Sequence, residues 1–435
     1  MSSEVKRVCN RLTDKKHVGM LAMTCAFVYT VSYMTRINYK VVISEIIASE
    51  GITKTDASLA LTGLFICYAI GQLISGWLGD RISPKYLMTC GLTVSTLMNV
   101  LVTLSGDKVW VVTVWCINGF GQALMWPPIV RILTDYLSNR DYISSCVKVS
   151  WGGHIGTIVI YLISPLLIAV MNWRSVFIFS ACFGTIGALV TFISLSHIEK
   201  YAKEHGEAPE IPAQNEPDNA ENRNNAAATI GKSGIILLIP ILVGTFLQGT
   251  IKDGVDTWMP SYINDNFDLS TKISILSGVI LPVFAIVCVK IANVIYNKYL
   301  KNELLCSGVM FSAMALGALG LFAITAFGFE GIASLILSLL CFTLLSGATH
   351  GVNLMQTAMI PRQYGKTGRV SLIAGIINFI VYVGSSVSTY GFAKMTDTLG
   401  WKGTVLLWVA ISLAGAVVSF AVLTPWKKFV DSDGR

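Results

Sequence analysis

Long apolar stretches, each near twenty residues, alternate with short polar segments along almost the whole chain. A helix needs about twenty apolar residues to cross the hydrocarbon core of a bilayer, so each stretch predicts one membrane-spanning helix. The pattern therefore predicts an all-α membrane protein with twelve transmembrane helices. The predicted spans are residues 18–46, 57–79, 84–105, 109–137, 143–169, 173–197, 233–262, 271–297, 302–327, 331–360, 368–393 and 402–424.

One polar segment, residues 199–232, separates the first six spans from the last six. It is rich in Pro, Asn and Ala and has almost no apolar side chain to bury, which is typical of a flexible linker. We predict an N-terminal six-helix bundle over residues 1–198, a linker over 199–232, and a C-terminal six-helix bundle over 233–435.

The two halves share landmarks at an offset of 216 residues, which is the separation between Arg36 and Lys252. The segment Asn172-Trp173-Arg174 before the sixth span also resembles Gly400-Trp401-Lys402 before the twelfth. This weak repeat predicts two pseudo-symmetric bundles. Transporters built from repeats bind their substrate near the bilayer midplane, where the repeats meet.

The polar segments differ in their content of Lys and Arg. The ends of the chain, the linker and every second loop carry most of these residues, and the other loops carry few. Because Lys and Arg favour the cytoplasmic side, both termini and the linker are predicted to be cytoplasmic. The first apolar stretch is too long for a signal peptide, so we expect a multi-pass protein of the cell (inner) membrane.

Composition excludes several functional classes. Apolar residues make up 53% of the chain and charged residues 13%, against about 25% charged in soluble domains. The net charge of +7 does not indicate nucleic-acid binding, because the cations lie in short loops between spans. The ten cysteines are scattered without metal-ligand spacing, and the spans contain no nucleophile–base pair. No metal, no cofactor and no enzymatic activity are predicted.

Arg36 lies deep in the first apolar span. A guanidinium there costs roughly 2.5 to 3.5 kcal/mol on insertion scales, and no acid lies within one helical turn. Lys252 lies at matching depth in the other half, beside Asp253 and Asp256. Two buried cations that face one cavity predict a binding site for an anion. We expect Asp256 to pair with Lys252 when the site is empty, and a dianion to bind better than a monoanion.

Several other residues inside spans are candidates for contacts with a substrate. His154 is surrounded by glycines and could carry a proton, donate to a phosphate, or simply bond a backbone carbonyl; His350 is similar. Lys40 lies near a helix end and is expected to extend toward the membrane surface. The predicted binding set is Arg36, Lys252, His154, Tyr33, Asn38, Trp126, Asp253, Asp256 and Trp258.

The loop after the second span reads GWLGDRISPK over residues 76–85. Gly76 permits close helix approach, and Asp80 can accept hydrogen bonds from backbone donors at a neighbouring helix start. Arg81 and Lys85 are expected to anchor the loop at the cytoplasmic surface. We predict that these four residues gate the transporter and do not bind substrate.

These features resemble the major facilitator superfamily, and more narrowly its organophosphate:phosphate antiporters, the glycerol-3-phosphate and hexose-phosphate transporters. The loop at 76–85 matches the superfamily signature, and residues 33–39, 119–128 and 252–262 resemble the antiporter segments. In that family one cation on helix one and one on helix seven bind the phosphate, and a histidine on helix five approaches it. The resemblance implies these roles for Arg36, Lys252 and His154.

The sequence thus predicts a secondary active transporter of a small organic anion that works by alternating access. An organophosphate exchanged for inorganic phosphate is the favoured substrate pair. Two alternatives stay open: a proton-coupled carboxylate symporter on the same fold, and a transporter-like sensor that binds the anion without moving it. The expected partners are the anion, phosphate or protons, and the lipid bilayer. No nucleic-acid partner is expected, and the protein is expected to act as a monomer.

Overall fold

The computed structural model describes residues 11–79, 81–104, 107–206, 232–364 and 370–432. These residues form helices joined by short turns. In the first half the helices are α1 (Lys15–Glu50), α2 (Lys54–Gly79), α3 (Pro84–Leu101), α4 (Lys108–Tyr136), α5 (Asn139–Val170) and α6 (Arg174–His205). The second half contains α7 (Lys232–Phe267), α8 (Thr271–Leu300), α9 (Glu303–Phe327), α10 (Ile332–Met359) and a last long run, Val370–Ala421.

Local signals set the ends of several helices. The Asp14 carboxylate accepts hydrogen bonds from the backbone N–H groups of Lys16 and His17, both at 3.3 Å, and so caps α1. Gly51 ends the same helix with φ +65°, a left-handed conformation that glycine adopts at little cost. Gly400 has φ +69° and ψ −174°. It divides the last long run into α11 (residues 370–399) and α12 (residues 401–421).

The described residues confirm the twelve-span fold. Ten segments are long and apolar enough to cross a membrane. One of them, Ile373–Ala421, contains both α11 and α12, and the 18-residue helix α3 completes the set. A further helix, α13 (Leu423–Ser432), follows α12. Residues 199–205 belong to α6 and not to a linker, and residues 207–231 lie outside the described residues.

The helices pack mainly within two groups of six. In the first group α1 packs on α5 and α6, α2 on α4, and α3 on α6. In the second α7 packs on α11, α9 on α10 and α12, and α8 on α10. Between the groups α2 contacts α11, and α5 contacts α8. Helices α1 and α7, which carry the predicted cations, also contact each other across the boundary.

Glycines bring the site helices close together. A Cβ atom on Gly152 or Gly156 of α5 would overlap the carbonyl oxygen of Ala26 or Thr30 of α1. In the second group the backbone of α11 at Val381 lies equally close to a glycine of α7. The backbones can approach this closely only because no side chain separates them. This packing sets the distance between α1 and α5, two of the helices that line the site.

We expect Gly156→Ala to destabilise the protein, because the new Cβ must push α5 away from the α1 backbone. Overpacking of this kind costs about 1–3 kcal/mol. Gly375→Ala is the matched control, since an added Cβ there meets no atom within 4 Å. Thermal unfolding of both variants in detergent provides the test. Equal melting temperatures in the two variants would contradict this account of the packing.

The two halves are tied together at one membrane face. We call the face where α1 begins and α12 ends the terminal face, and the other the opposite face. At the opposite face the Lys54 ammonium lies 2.9 Å from the Asp265 carboxylate. The Thr55 hydroxyl donates to Asp397 at 2.6 Å, and the Thr271 hydroxyl donates to Glu45. Each of these contacts joins the first half to the second and closes the central boundary at this face.

Candidate functional site

A cavity lies between the two halves, near the middle of the long helices. Its volume is about 120 Å³, enough for about four water molecules at the volume that each occupies in the liquid. Helices α1, α2 and α5 of the first half line it, together with α7, α8, α10 and α11 of the second. The charged and imidazole side chains that line this central cavity are Arg36, Lys40, His154, Lys252, Asp253, Asp256 and His350.

Arg36 projects from α1 into the central cavity. Its guanidinium carbon lies 4.3 Å from the centre of the Tyr33 ring and 5.1 Å from that of Tyr68. These rings stabilise the cation through their electron-rich faces. No carboxylate in the described part of the chain forms an ion pair with Arg36. No carboxylate therefore neutralises its charge before an anion enters the cavity.

The second predicted cation, Lys252 of α7, also lines the cavity. Its ammonium lies 3.5 Å from the carboxylate of the adjacent Asp253 and 5.5 Å from the centre of the Tyr382 ring on α11. The expected pairing with Asp256 is wrong. The Asp256 carboxylate lies instead 3.8 Å from the ammonium of Lys40.

Lys40 does not extend toward the membrane surface, so that expectation from the sequence is wrong as well. The residue is 7% exposed. Its ammonium lies 3.6 Å from Asp253 and 3.8 Å from Asp256. These two carboxylates belong to α7, so Lys40 joins α1 of the first half to α7 of the second. A buried ammonium is retained here because two carboxylates compensate its charge.

The two carboxylates are also held by hydroxyl groups. Asp253 accepts a hydrogen bond of 2.6 Å from Ser385 of α11. Asp256 accepts one of 2.8 Å from Ser346 of α10. Asp253 thus has two cations and one hydroxyl within reach, and Asp256 has one cation and one hydroxyl. The two aspartates differ in how strongly their surroundings favour the ionised form.

His154 of α5 and His350 of α10 face each other in the central cavity, with ring centroids 6.3 Å apart. Neither imidazole forms a hydrogen bond with another described residue, so of the roles considered for His154 the bond to a backbone carbonyl is not present. Both rings are free to contact a ligand or to carry a proton.

Three residues of the predicted binding set lie outside the cavity lining. The Asn38 amide is fully buried and donates to Asn99 of α3 at 2.5 Å. The Trp258 indole is fully buried and donates to the Thr389 carbonyl at 3.1 Å. The Trp126 ring packs 5.4 Å from Tyr29. Hydrogen bonds between helices occupy the polar atoms of Asn38 and Trp258, so both residues support the helix packing and do not face the cavity.

The predicted gating residues that the structure describes lie at the end of α2, in the following turn and at the start of α3, at the terminal face. Lys85 donates to Glu199 of α6 at 2.7 Å, and Ser83 donates to the same carboxylate at 3.0 Å. Gly76 belongs to α2 and Arg81 is exposed, whereas Asp80 lies outside the described residues. The Lys85 contact ties α3 to α6 within the first half. The gating roles of these four residues remain predictions.

Two charged or imidazole side chains of the cavity, Lys40 and His350, are absent from the predicted binding set. Lys40 follows Arg36 by four residues, and such residues lie on one face of a helix, which is the signal that could have placed both in one cavity. His350 has the same glycine-flanked context as His154 but was not included in the binding set. The partner of each residue is on another helix, so spacing along the chain does not identify that partner.

Comparison with known proteins adds independent evidence. The family model described as Major Facilitator Superfamily matches residues 25–389. A probable hexose phosphate transport protein of Chlamydia trachomatis is 22% identical over 408 residues, covering 90% of this chain and 87% of that protein. The membrane sensor protein UhpC of Escherichia coli is 20% identical, covering 91% of this chain and 89% of that protein.

A solved structure shows the same fold. The crystal structure of a peptide transporter named POT superimposes with a TM-score of 0.74 at 12% sequence identity. The match covers 99% of both chains. Similarity at this level of identity concerns the arrangement of the helices and carries no information on the substrate.

Proposed function

This chain belongs to the Major Facilitator Superfamily, and on that basis we propose that it transports a small organic anion by alternating access. We propose an organophosphate as the substrate and inorganic phosphate as the ion exchanged for it. The observation that carries this proposal is Arg36, a cation in the central cavity without a carboxylate partner among the described residues. The similarity to a hexose phosphate transport protein supports the choice of a phosphate ester.

The position of the cations supports a role in coupling the two halves. Arg36 belongs to α1 of the first half, and Lys252 belongs to α7 of the second. An anion bound to both would link the halves at the midplane, where repeat-based transporters bind their substrates. Rocking of one half against the other about this link would expose the site to each face in turn.

A second candidate is a proton-coupled carboxylate symporter. The observation that favours it is the presence of Asp253 and Asp256 in the cavity, because intramembrane carboxylates often carry protons in transporters. A third candidate is an anion sensor, which the similarity to a membrane sensor protein supports. All three functions use the same cavity and differ in what crosses the membrane.

Exchange in proteoliposomes separates the three candidates. Vesicles loaded with phosphate would receive external radiolabelled glucose 6-phosphate, and matched vesicles would contain no phosphate. We expect uptake only with internal phosphate. Uptake of a labelled sugar acid driven by an inward proton gradient would favour the symporter. Saturable binding of glucose 6-phosphate without uptake under any gradient would favour the sensor.

We further propose that both termini are cytoplasmic in the inner membrane, as the distribution of Lys and Arg indicates. The terminal face would then be the cytoplasmic face. We propose a monomer as the transporting unit, because the central cavity lies within one chain. A reporter fused after Arg435 that is active only in the cytoplasm tests the orientation, and light scattering in detergent tests the monomer.

We expect Asp265→Asn to open the opposite face more often, because it removes the ion pair between α2 and α7. Partly exposed pairs contribute about 0–1 kcal/mol, so the population should shift by up to about fivefold. The readout is labelling of Leu281→Cys, a cavity position, by an impermeant maleimide from the opposite face in a cysteine-free background. Glu50→Gln is the control, since its ion pair with Arg174 joins helices of one half. Equal labelling rates in both variants would contradict a gating role for this ion pair.

A further inference from the structure

The side chains that line the central cavity do not balance in charge. The ammonium groups of Lys40 and Lys252 and the guanidinium of Arg36 face two carboxylates, those of Asp253 and Asp256. With both imidazoles neutral the site has one more positive than negative charge. This count differs from the one the sequence suggested, in which two cations faced the cavity and a dianion was expected to bind best.

The imbalance matters because these groups are removed from bulk water. The side chains of Lys40 and Asp253 are 9% and 13% exposed, and those of Asp256 and Lys252 are 18% and 19% exposed. Charges in such surroundings interact more strongly than in water, and an uncompensated charge costs several kcal/mol. One added negative charge neutralises the site. A second would leave it negative by one unit.

We infer, on the basis of the proposed function, that the site accepts one net negative charge per substrate. A monoanionic carboxylate binds alone. A phosphate ester dianion binds together with one proton from solvent, and the Asp256 carboxylate takes that proton to become a neutral carboxyl group. The bond between this proton and its donor in solution, a buffer acid or hydronium ion, breaks as the O–H bond on Asp256 forms, and the bound complex is electrically neutral.

The contacts of the two aspartates single out Asp256 as the proton acceptor. Asp253 lies near two ammonium groups, at 3.5 and 3.6 Å, and accepts from Ser385. Asp256 lies 3.8 Å from a single ammonium, that of Lys40, and accepts from Ser346. Fewer favourable partners make its ionised form the easier one to neutralise.

Nine other ionisable side chains line the cavity with Asp256. Tyr33, Arg36 and Lys40 belong to α1, His154 and Tyr161 to α5, Lys252 and Asp253 to α7, His350 to α10, and Tyr382 to α11. Of these, only the two imidazoles could replace Asp256 as the group that takes a proton between pH 6 and 8. Variants of both therefore belong in the test.

Protonation of Asp256 also changes what Lys40 can do. Lys40 shares its charge between Asp253 and Asp256 in the empty site. Once Asp256 is neutral, one of these attractions is lost and the ammonium can turn toward the second negative charge of the ester. Lys40 then acts as a specificity-determining residue, because a monoanion does not require it to leave Asp256.

The test is isothermal titration of the full-length protein in detergent at pH 7.5, in two buffers with different ionisation enthalpies. Phosphate esters have a second pKa near 6, so glucose 6-phosphate is mainly dianionic in this solution. The dependence of the heat on the buffer counts protons. We expect uptake of about one proton with glucose 6-phosphate and none with gluconate, a carboxylate probe.

The pH dependence follows from the same count. The complex holds one proton more than the free species, so binding weakens as pH rises. We expect the affinity for glucose 6-phosphate to fall about tenfold per pH unit above pH 7. In Asp256→Asn the proton uptake should vanish and the affinity should be flat over this range. Asp431→Asn, at an exposed position on α13, is the matched control and should keep the uptake of one proton.

Three results would overturn the inference. The first is a heat of glucose 6-phosphate binding to the wild-type protein that does not depend on the buffer. The second is full proton uptake in Asp256→Asn, and the third is loss of uptake in His154→Gln or His350→Gln. If neither glucose 6-phosphate nor inorganic phosphate binds, the proposed function fails. The gluconate titration then decides the inference, and uptake of a proton with gluconate would refute it.

Discussion

Arg36→Ala should abolish exchange of phosphate for glucose 6-phosphate in proteoliposomes. Removal of one partner from a buried, hydrogen-bonded charge contact costs about 2–5 kcal/mol, so the affinity should fall by at least about thirtyfold. The reason is that Arg36 is the cavity cation without a carboxylate partner in the described residues, so the substrate is the anion that compensates its charge.

Two further variants test whether the loss of exchange is specific to the site. Arg36→Lys keeps the charge but loses the planar guanidinium fork that matches phosphate geometry, so exchange should be weak but measurable. Lys290→Ala removes an exposed cation of α8 that does not line the cavity, and exchange should be normal. Near-normal exchange by a correctly inserted Arg36→Ala variant would refute the proposed site.

Lys40→Met should produce the second largest loss of glucose 6-phosphate binding. It leaves Asp253 and Asp256 in the cavity without the ammonium that lies within 4 Å of both, and the site then has equal numbers of cations and carboxylates. Breaking a buried ion pair by removal of one partner costs about 3–5 kcal/mol. We expect lower thermal stability and a loss of glucose 6-phosphate binding by more than about tenfold.

The double variant Lys40→Met with Asp256→Asn restores the surplus of one positive charge and removes the carboxylate left with no cation. Because the two residues contact each other, their effects should not add, and the double variant should be more stable and bind better than Lys40→Met alone. Melting temperature and titration with glucose 6-phosphate measure both effects. Additive losses would show that Lys40 and Asp256 do not act as a pair. A Lys40→Met variant with wild-type stability and binding would support the surface-directed side chain that the sequence suggested.

Much of the architecture could be predicted from local properties of the chain. The length and apolarity of the stretches predict spanning helices, since a bilayer offers no hydrogen-bond partners to an irregular backbone. The matching depths of Arg36 and Lys252 placed a charged site at the boundary of the two halves. Such inferences work because they depend on the free energy of burying one residue type at one position. The sequence states that residue type directly.

The exact boundaries were less predictable. Residues 199–205 are polar, yet they continue α6 to His205, because a helix that has already crossed the membrane can extend into water with exposed polar side chains. The run from Val370 to Ala421 is nearly continuous helix, and the turn at Gly400 depends on one residue with positive φ. The average composition of a segment reveals neither the extension of α6 nor the turn at Gly400.

The sequence by itself determined the fold class, the repeat and the depth of the two cations, because each follows from the free energy of placing a residue type in lipid. Only the tertiary structure decided which charges meet. It paired Lys40 with the aspartates of α7 and turned Asn38 and Trp258 away from the cavity. The physical reason is that ion pairs and hydrogen bonds act over a few ångströms between helices far apart in the chain, so they depend on helix rotation and packing, which no local pattern specifies.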